Sequence, residues 1–164
     1  MISIERLGKK DIDYVSAINC LLKQLSDTET LNVRIFLKTI RQKNVYFFGA
    51  KDLNKKRPDN LAGIAIISFG KIFEHQFEEM LAAVHTMVID QDYRGKYIGD
   101  MLMGAMLGRA KLIAFENQKN VSVYLISKPA REAANKLYQK YGFKLVDKAE
   151  WDKGTNLYKL VITP

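Results

Sequence analysis

Three observations along this 164-residue chain predict a mixed α/β fold. Residues Val84–Gly108 pass from a mostly β-branched, apolar run ending at Asp90, through a basic loop with two glycines, to apolar residues recurring at helical spacing; this is the pattern of a strand, a tight loop and a helix. Leu61–Phe69 is almost wholly apolar, which marks a strand covered on both faces. The stretches then order themselves as strand, two helices, three strands, helix, strand, helix and two strands, with no repeat or low-complexity linker between them. Such an order builds one sheet with helices on its faces.

Each element has its own signal. Ile2–Leu7 alternates apolar and polar residues and reads as a strand. Asp11 is placed to cap a helix whose apolar positions Ile12, Val15, Ile18, Leu21, Leu22 and Leu25 share a face. Ser26–Thr30 breaks that pattern as an acidic turn, and Leu31–Lys43 carries a second, weaker helix with Phe36 and Ile40 inward. Val45–Ala50 and Leu61–Phe69 are strands around the basic run Lys51–Arg57, which reads as a solvated loop tip. Met80–Asp90 is the next strand, antiparallel to its predecessor across a polar connection. The long helix follows from about Gly99 to Glu116, with Ile98, Leu102, Met106, Ala110 and Ile113 on its apolar stripe. Val121–Ile126 is a strand reached by a parallel crossover. A helix starts after Pro129 and is stopped by Gly142, and Lys144–Ala149 and Leu157–Ile162 close the sheet around a turn at Asp152-Lys153-Gly154.

Composition narrows the classes. A chain of this length with 48% hydrophobic residues makes one domain, residues 1–164, with a proper core. The single cysteine, Cys20, excludes an internal disulfide and lies in an amphipathic helical pattern, where a small buried hydrophobe is expected. The N-terminus carries no signal-peptide pattern, and no apolar run is long enough to span a bilayer, so a soluble cytoplasmic protein is expected. Twenty-six Lys and Arg against 18 Asp and Glu give a net charge of +8, which attracts polyanions without choosing among them. Two histidines and one cysteine make no metal cluster, and neither a G-x-G-x-x-G nor a phosphate-binding Walker loop occurs.

The basic loop sits at the start of the long helix, and this placement suits an anion. The first backbone N–H groups of a helix lack intrahelical partners and the helix dipole is positive there. Gly95 and Gly99 let the backbone turn and approach a ligand, while Arg94 and Lys96 supply charge-assisted hydrogen bonds. Arg94-Gly95-Lys96-Tyr97-Ile98-Gly99 resembles the acyl-CoA pyrophosphate signature Q/R-x-x-G-x-G/A of the GNAT superfamily of N-acetyltransferases, and Ile89-Asp90-Gln91-Asp92-Tyr93 resembles its lead-in. Ala134-Asn135-Lys136-Leu137-Tyr138-Gln139-Lys140-Tyr141-Gly142-Phe143 resembles a second segment of that superfamily, A-x-x-L-Y-x-x-x-G-F, in the family's order with one strand between the two.

The resemblance implies a mostly antiparallel central sheet of about seven strands flanked by about four helices. It implies acetyl-CoA as the acyl donor, CoA as a product, and direct transfer to a primary amine of a small molecule, peptide or protein. The cofactor residues it implies are Arg94, Gly95, Lys96, Tyr97, Ile98 and Gly99 around the pyrophosphate and Met87, Val88 and Ile89 along the pantetheine, with a backbone N–H of Met87 or Val88 for the thioester oxygen. Tyr97 stands where the signature has its first glycine, so a Cβ must be accommodated there. Tyr138 takes the place of the family's general acid, and a phenol of pKa about 10 can reprotonate a thiolate of pKa about 8.5. His85 matches a histidine that the arylalkylamine branch uses in removing the amine's proton, although Ala83 replaces that branch's second histidine; Glu79 with a water chain is the alternative base. Arg131 replaces the family's asparagine and is assigned to the cofactor. Asp27, Glu29 and Trp151 are expected to wall the acceptor pocket. Two other readings stand beside this one: a non-catalytic acyl-CoA-binding module, and an acetyltransferase acting on an RNA-linked amine. No membrane partner is expected, and the oligomeric state is left open between monomer and homodimer.

Overall fold

The computed structural model describes residues 1–26, 30–71, 79–149 and 154–164. Its elements in chain order are β1 (Ile2–Arg6), a 3-10 helix (Lys9–Tyr14), α1 (Val15–Lys23), α2 (Val33–Arg41), β2 (Val45–Asp52), β3 (Leu61–Lys71), β4 (Met80–Ile89), a 3-10 turn (Gln91–Tyr93), α3 (Ile98–Asn117), β5 (Val121–Ser127), α4 (Glu132–Lys140), β6 (Lys144–Ala149) and β7 (Thr155–Ile162). The seven strands are ordered β1-β2-β3-β4-β5-β7-β6. Contacts gather the chain into two units, Met1–Ser68 with His85–Leu107, and Phe69–Val84 with Gly108–Pro164.

In the first unit β1 and β2 pair antiparallel, as do β2 and β3. Asp90, just past the end of β4, donates its N–H to the carbonyl of Ala62 near the start of β3, as antiparallel neighbours do. Helices α1 and α2 close one core with the strands, in which Ile18, Leu21, Phe36, Phe47 and Ile64 are buried together with Val88. Gly63 permits close packing here: a Cβ on it would stand 2.9 Å from the Val88 carbonyl oxygen and 3.3 Å from Leu102 of α3.

Three expectations are corrected in this unit. Asp11 does not cap an α-helix. Its segment is a 3-10 helix, kinked at Asp11, whose buried carboxylate accepts the Gly8 N–H at 2.8 Å and pairs with Lys51 at 3.1 Å. Lys51 is no part of a solvated tip. β2 runs on to Asp52, and the Lys51 ammonium lies buried between Asp11 and Glu5, 2.8 Å from the latter. Cys20 is exposed, because the phase that buries Ile18, Leu21 and Leu22 turns position 20 outward.

In the second unit Met80–Val84 of β4 pairs parallel with Val121–Leu125 of β5, the ladder expected of a crossover through a helix. β7 then lies antiparallel between β5 and β6. Gly142 ends α4 with φ of +85°, and the N–H groups of Gly142 and Phe143 return to the carbonyls of Gln139 and Tyr138. Of the predicted closing turn, Gly154 is seen at φ of +94°, while Asp152 and Lys153 lie outside the described residues.

Candidate active site

The basic loop is built on a short turn. The Asp90 carboxylate accepts the Asp92 N–H at 2.9 Å, and the buried Tyr93 donates its hydroxyl to Asp52 at 2.9 Å. From that anchor the chain reaches Gly95 at φ of +75° and Tyr97 at φ of +61°. Tyr97 therefore adopts the left-handed backbone that the glycine of the resembling signature would take freely, which answers how a Cβ is accommodated. Ile98 is buried at 1% exposure and pins the loop to the core, and the Tyr97 carbonyl accepts the Met101 N–H at 3.0 Å as the first turn of α3. The amides of Ile98 and Gly99 thus occupy the first turn of α3, where a helix leaves N–H groups to outside acceptors.

The two cations of the loop are exposed and lie along its own backbone. Arg94 donates from Nη2 to Gln24 Oε1 at 3.2 Å and from Nε to the Ile89 carbonyl at 3.4 Å; Lys96 donates to the Asp92 carbonyl at 2.8 Å and lies 5.0 Å from the Tyr93 ring. Gln24, just past α1, was not predicted. Besides Arg94 its amide oxygen accepts the Gln91 N–H at 3.0 Å, and its nitrogen donates to the Asp90 carboxylate at 3.2 Å. A polar residue at a helix end gives no sequence signal for such a role.

Met87, Val88 and Ile89 form the last part of β4, with Val88 buried against the helical core. The parallel ladder ends at Val84 opposite Leu125, and β4 continues through His85–Ile89 beyond it. His85 Nε2 stands 2.6 Å from Ser68 Oγ, a partner that the sequence did not reveal. His85 is exposed on β4, and partial desolvation of its ring lowers its pKa below the usual 6.5, so the ring is neutral at neutral pH.

Tyr138, Arg131 and Glu79 belong to the second unit. Tyr138 is buried, edge-on to Phe143 at 6.2 Å and tilted against Tyr158 at 5.9 Å. Burial raises its phenol pKa, opposed by the charge of Arg131, and the phenol keeps its proton at neutral pH. Arg131 is exposed at the N-terminal end of α4; Asn135 donates its side-chain amide to the carbonyls of Lys128 at 3.1 Å and Pro129 at 3.2 Å, holding the approach to that helix. Glu79 accepts the Ser122 hydroxyl at 2.6 Å. Asp27, Glu29 and Trp151 lie outside the described residues. Among the described residues no group of three or more His, Cys, Asp or Glu could hold a metal ion, and no helix is long and apolar enough to cross a membrane.

The family model of the GNAT acetyltransferase domain matches residues 45–145, which include the glycine loop and the Tyr138 segment. The chain belongs to the GNAT acetyltransferases. The activity of that family is N-acetylation with acetyl-CoA as the donor. Solved structures share this GNAT fold. Arabidopsis thaliana NAA60 in complex with a bisubstrate analogue is 15% identical with a TM-score of 0.77, covering 99% of this chain and 98% of that one. The ribosomal-protein-S18-alanine N-acetyltransferase of Escherichia coli is 16% identical with a TM-score of 0.70, covering 100% and 96%. An acetyltransferase of the GNAT family from Streptococcus pneumoniae is 20% identical with a TM-score of 0.71, covering 99% of each chain. No curated protein matches the sequence.

Proposed function

We propose that residues 1–164 act as one cytoplasmic acetyltransferase domain that moves an acetyl group from acetyl-CoA directly to a primary amine of a small molecule, peptide or protein. The observation that carries this reading is the left-handed backbone at Gly95 and Tyr97 running into the first turn of α3. It leaves consecutive amides beside two exposed cations, a donor set suited to a pyrophosphate. Acetyl-CoA supplies the acetyl thioester.

The roles proposed for this chain's residues follow from their surroundings. Arg94, Gly95, Lys96, Tyr97, Ile98 and Gly99 hold the pyrophosphate, Met87–Ile89 align the pantetheine, and Arg131 adds a cation for the cofactor. The N–H of Met87 or Val88 donates to the oxygen that gains charge. His85, neutral and steadied by Ser68, takes the ammonium's proton so that the amine nitrogen can attack. Tyr138, kept protonated by burial, gives its phenol proton to the departing sulfur.

Release of CoA across a panel of amines tests the reading, with Tyr138→Phe as the diagnostic variant because phenylalanine keeps the packing against Phe143 and Tyr158. A fall in turnover of about 100-fold or more is expected, with acetyl-CoA affinity within about twofold of wild type. Equal turnover would remove Tyr138 from the mechanism, and no CoA release with any amine would favour the non-catalytic module. The net charge of +8 supports a second reading, an acceptor amine carried on RNA. Under it, affinity for the RNA-linked acceptor falls steeply as salt is raised.

A further inference from the structure

The loop that follows β4 carries two opposite charges that it must keep apart. Asp90 and Arg94 flank the 3-10 turn Gln91–Tyr93, and the loop uses both. The Asp90 carboxylate caps the turn, accepting the Asp92 N–H through Oδ1 at 2.9 Å. Arg94 is exposed and is the cation assigned to the anion. A guanidinium and a carboxylate so close along the chain pair readily, and a paired Arg94 would offer an incoming anion neither its charge nor its donor fork.

The folded chain puts Gln24 between them. Its side-chain nitrogen donates to Asp90 Oδ2 at 3.2 Å, and its oxygen accepts from Arg94 Nη2 at 3.2 Å and from the Gln91 N–H at 3.0 Å. These partners fix which way the amide points, because Arg94 and a backbone N–H only donate and an ionised carboxylate only accepts. The amide dipole therefore turns its positive end to the carboxylate and its negative end to the guanidinium. The other bond of Arg94, from Nε, goes to the Ile89 carbonyl at 3.4 Å, so both of its acceptors among the described residues are uncharged. Such acceptors orient a guanidinium without neutralising it. Gln24 is itself fixed: it is half-buried just past α1, its backbone N–H is held by the carbonyls of Leu21 and Leu22, and it belongs with Asp90, Gln91 and Arg94 to the first unit.

We propose that Gln24 is a positioning residue that insulates Arg94 from Asp90, keeping the guanidinium charged, oriented and open to the pyrophosphate of the cofactor. The identity of the anion rests on the acetyltransferase reading above; the separation of Arg94 from Asp90 stands on the hydrogen bonds of Gln24. Other side chains at this position would fail in different ways. A glutamate would neutralise Arg94 and face Asp90 with like charge, and an apolar residue would leave the two charges free to meet.

Titration calorimetry with acetyl-CoA on wild type, Gln24→Met, Asp90→Asn and the double variant Gln24→Met/Asp90→Asn tests the proposal. Methionine keeps the length of the side chain and removes both ends of the amide. Gln24→Met is expected to bind about fivefold more weakly, since an exposed pair with Asp90 then competes for Arg94. In that background Asp90→Asn should return affinity to within about twofold of wild type, because asparagine caps the turn as well as aspartate and carries no charge. The gain from Asp90→Asn should be larger there than in the presence of Gln24, a coupling that a merely structural role would not produce. Unchanged affinity in Gln24→Met, or a gain from Asp90→Asn no larger there than in wild type, overturns the proposal. Should Gln24→Met not fold, Gln24→Ala takes its place in the series. A crystal structure of cofactor-free Gln24→Met gives a readout that needs no ligand. The Arg94 guanidinium on the Asp90 carboxylate supports insulation even if wild type binds no acetyl-CoA, in which case only the acetyl-CoA reading falls; Arg94 still apart from Asp90 overturns it.

Discussion

Tyr97 carries the sharpest local tension in the chain. A non-glycine residue at φ of +61° is strained by roughly 1–2 kcal/mol, and Tyr97 is 76% exposed, so no core packing offsets that strain. Strain without a packing return is expected where the backbone shape itself serves a ligand. In denaturant unfolding, Tyr97→Gly should therefore be more stable than Tyr97→Ala by about 1 kcal/mol, since both lose the ring and only glycine relieves the angle. Equal stabilities would mean that the loop relaxes out of this conformation. His85 makes a second prediction at the same scale. Partial desolvation depresses its pKa below 6.5, so just below pH 6.5 the unfolded chain binds more protons than the folded one, and stability falls as pH drops through that window. If the neutral ring is the base, the acid limb of kcat/KM lies below pH 6.5 and disappears in His85→Gln. An unchanged limb in that variant would make the histidine structural, a hydrogen-bond partner of Ser68. Sequence pointed to both residues because each sits in a motif. It did not point to Ser68 or Gln24, whose roles arise from strands and loops brought together by folding.

At the scale of elements, β2 shows how a linear charge run misleads. Lys51, Lys55, Lys56 and Arg57 are close in sequence, yet Lys51 closes β2 inside a cluster with Asp11 and Glu5, and Arg57 reaches back to Asp13. Burial pulls the Lys51 pKa down, but the hydrogen bonds its ammonium donates to Glu5 and Asp11 outweigh it, and the pKa is raised. Lys51→Ala leaves the Asp11 carboxylate buried with Arg57 as its remaining cation and is expected to cost about 3 kcal/mol in chemical unfolding. Lys55→Ala, in the exposed turn, should change stability by less than about 0.5 kcal/mol. Comparable losses in the two variants would contradict this division of the basic run. The elements themselves were legible because apolar periodicity decides them. The β4, α3, β5 series and the Gly142 stop fall within a few residues of their predicted bounds. Asp11 was misread because a 3-10 segment precedes α1 and sets where that helix begins, which a sequence pattern does not report, whereas Cys20 was misread although the apolar face predicted for α1 already leaves position 20 outside it.

For the whole molecule, two sequence motifs and one element order led to the GNAT fold, and the family match over residues 45–145 agrees with them. The acceptor side was less legible, because its expected walls, Asp27, Glu29 and Trp151, sit in polar connections that apolar periodicity does not describe, and they lie outside the described residues. The central claim is that the loop from Arg94 to Gly99 binds acetyl-CoA with a tyrosine at its left-handed position. Thermal unfolding with and without acetyl-CoA tests it most directly. Ligand at 100 times its dissociation constant should stabilise the protein by roughly 2.7 kcal/mol, and the transition should keep rising as more is added. A transition unmoved by millimolar acetyl-CoA would contradict the claim.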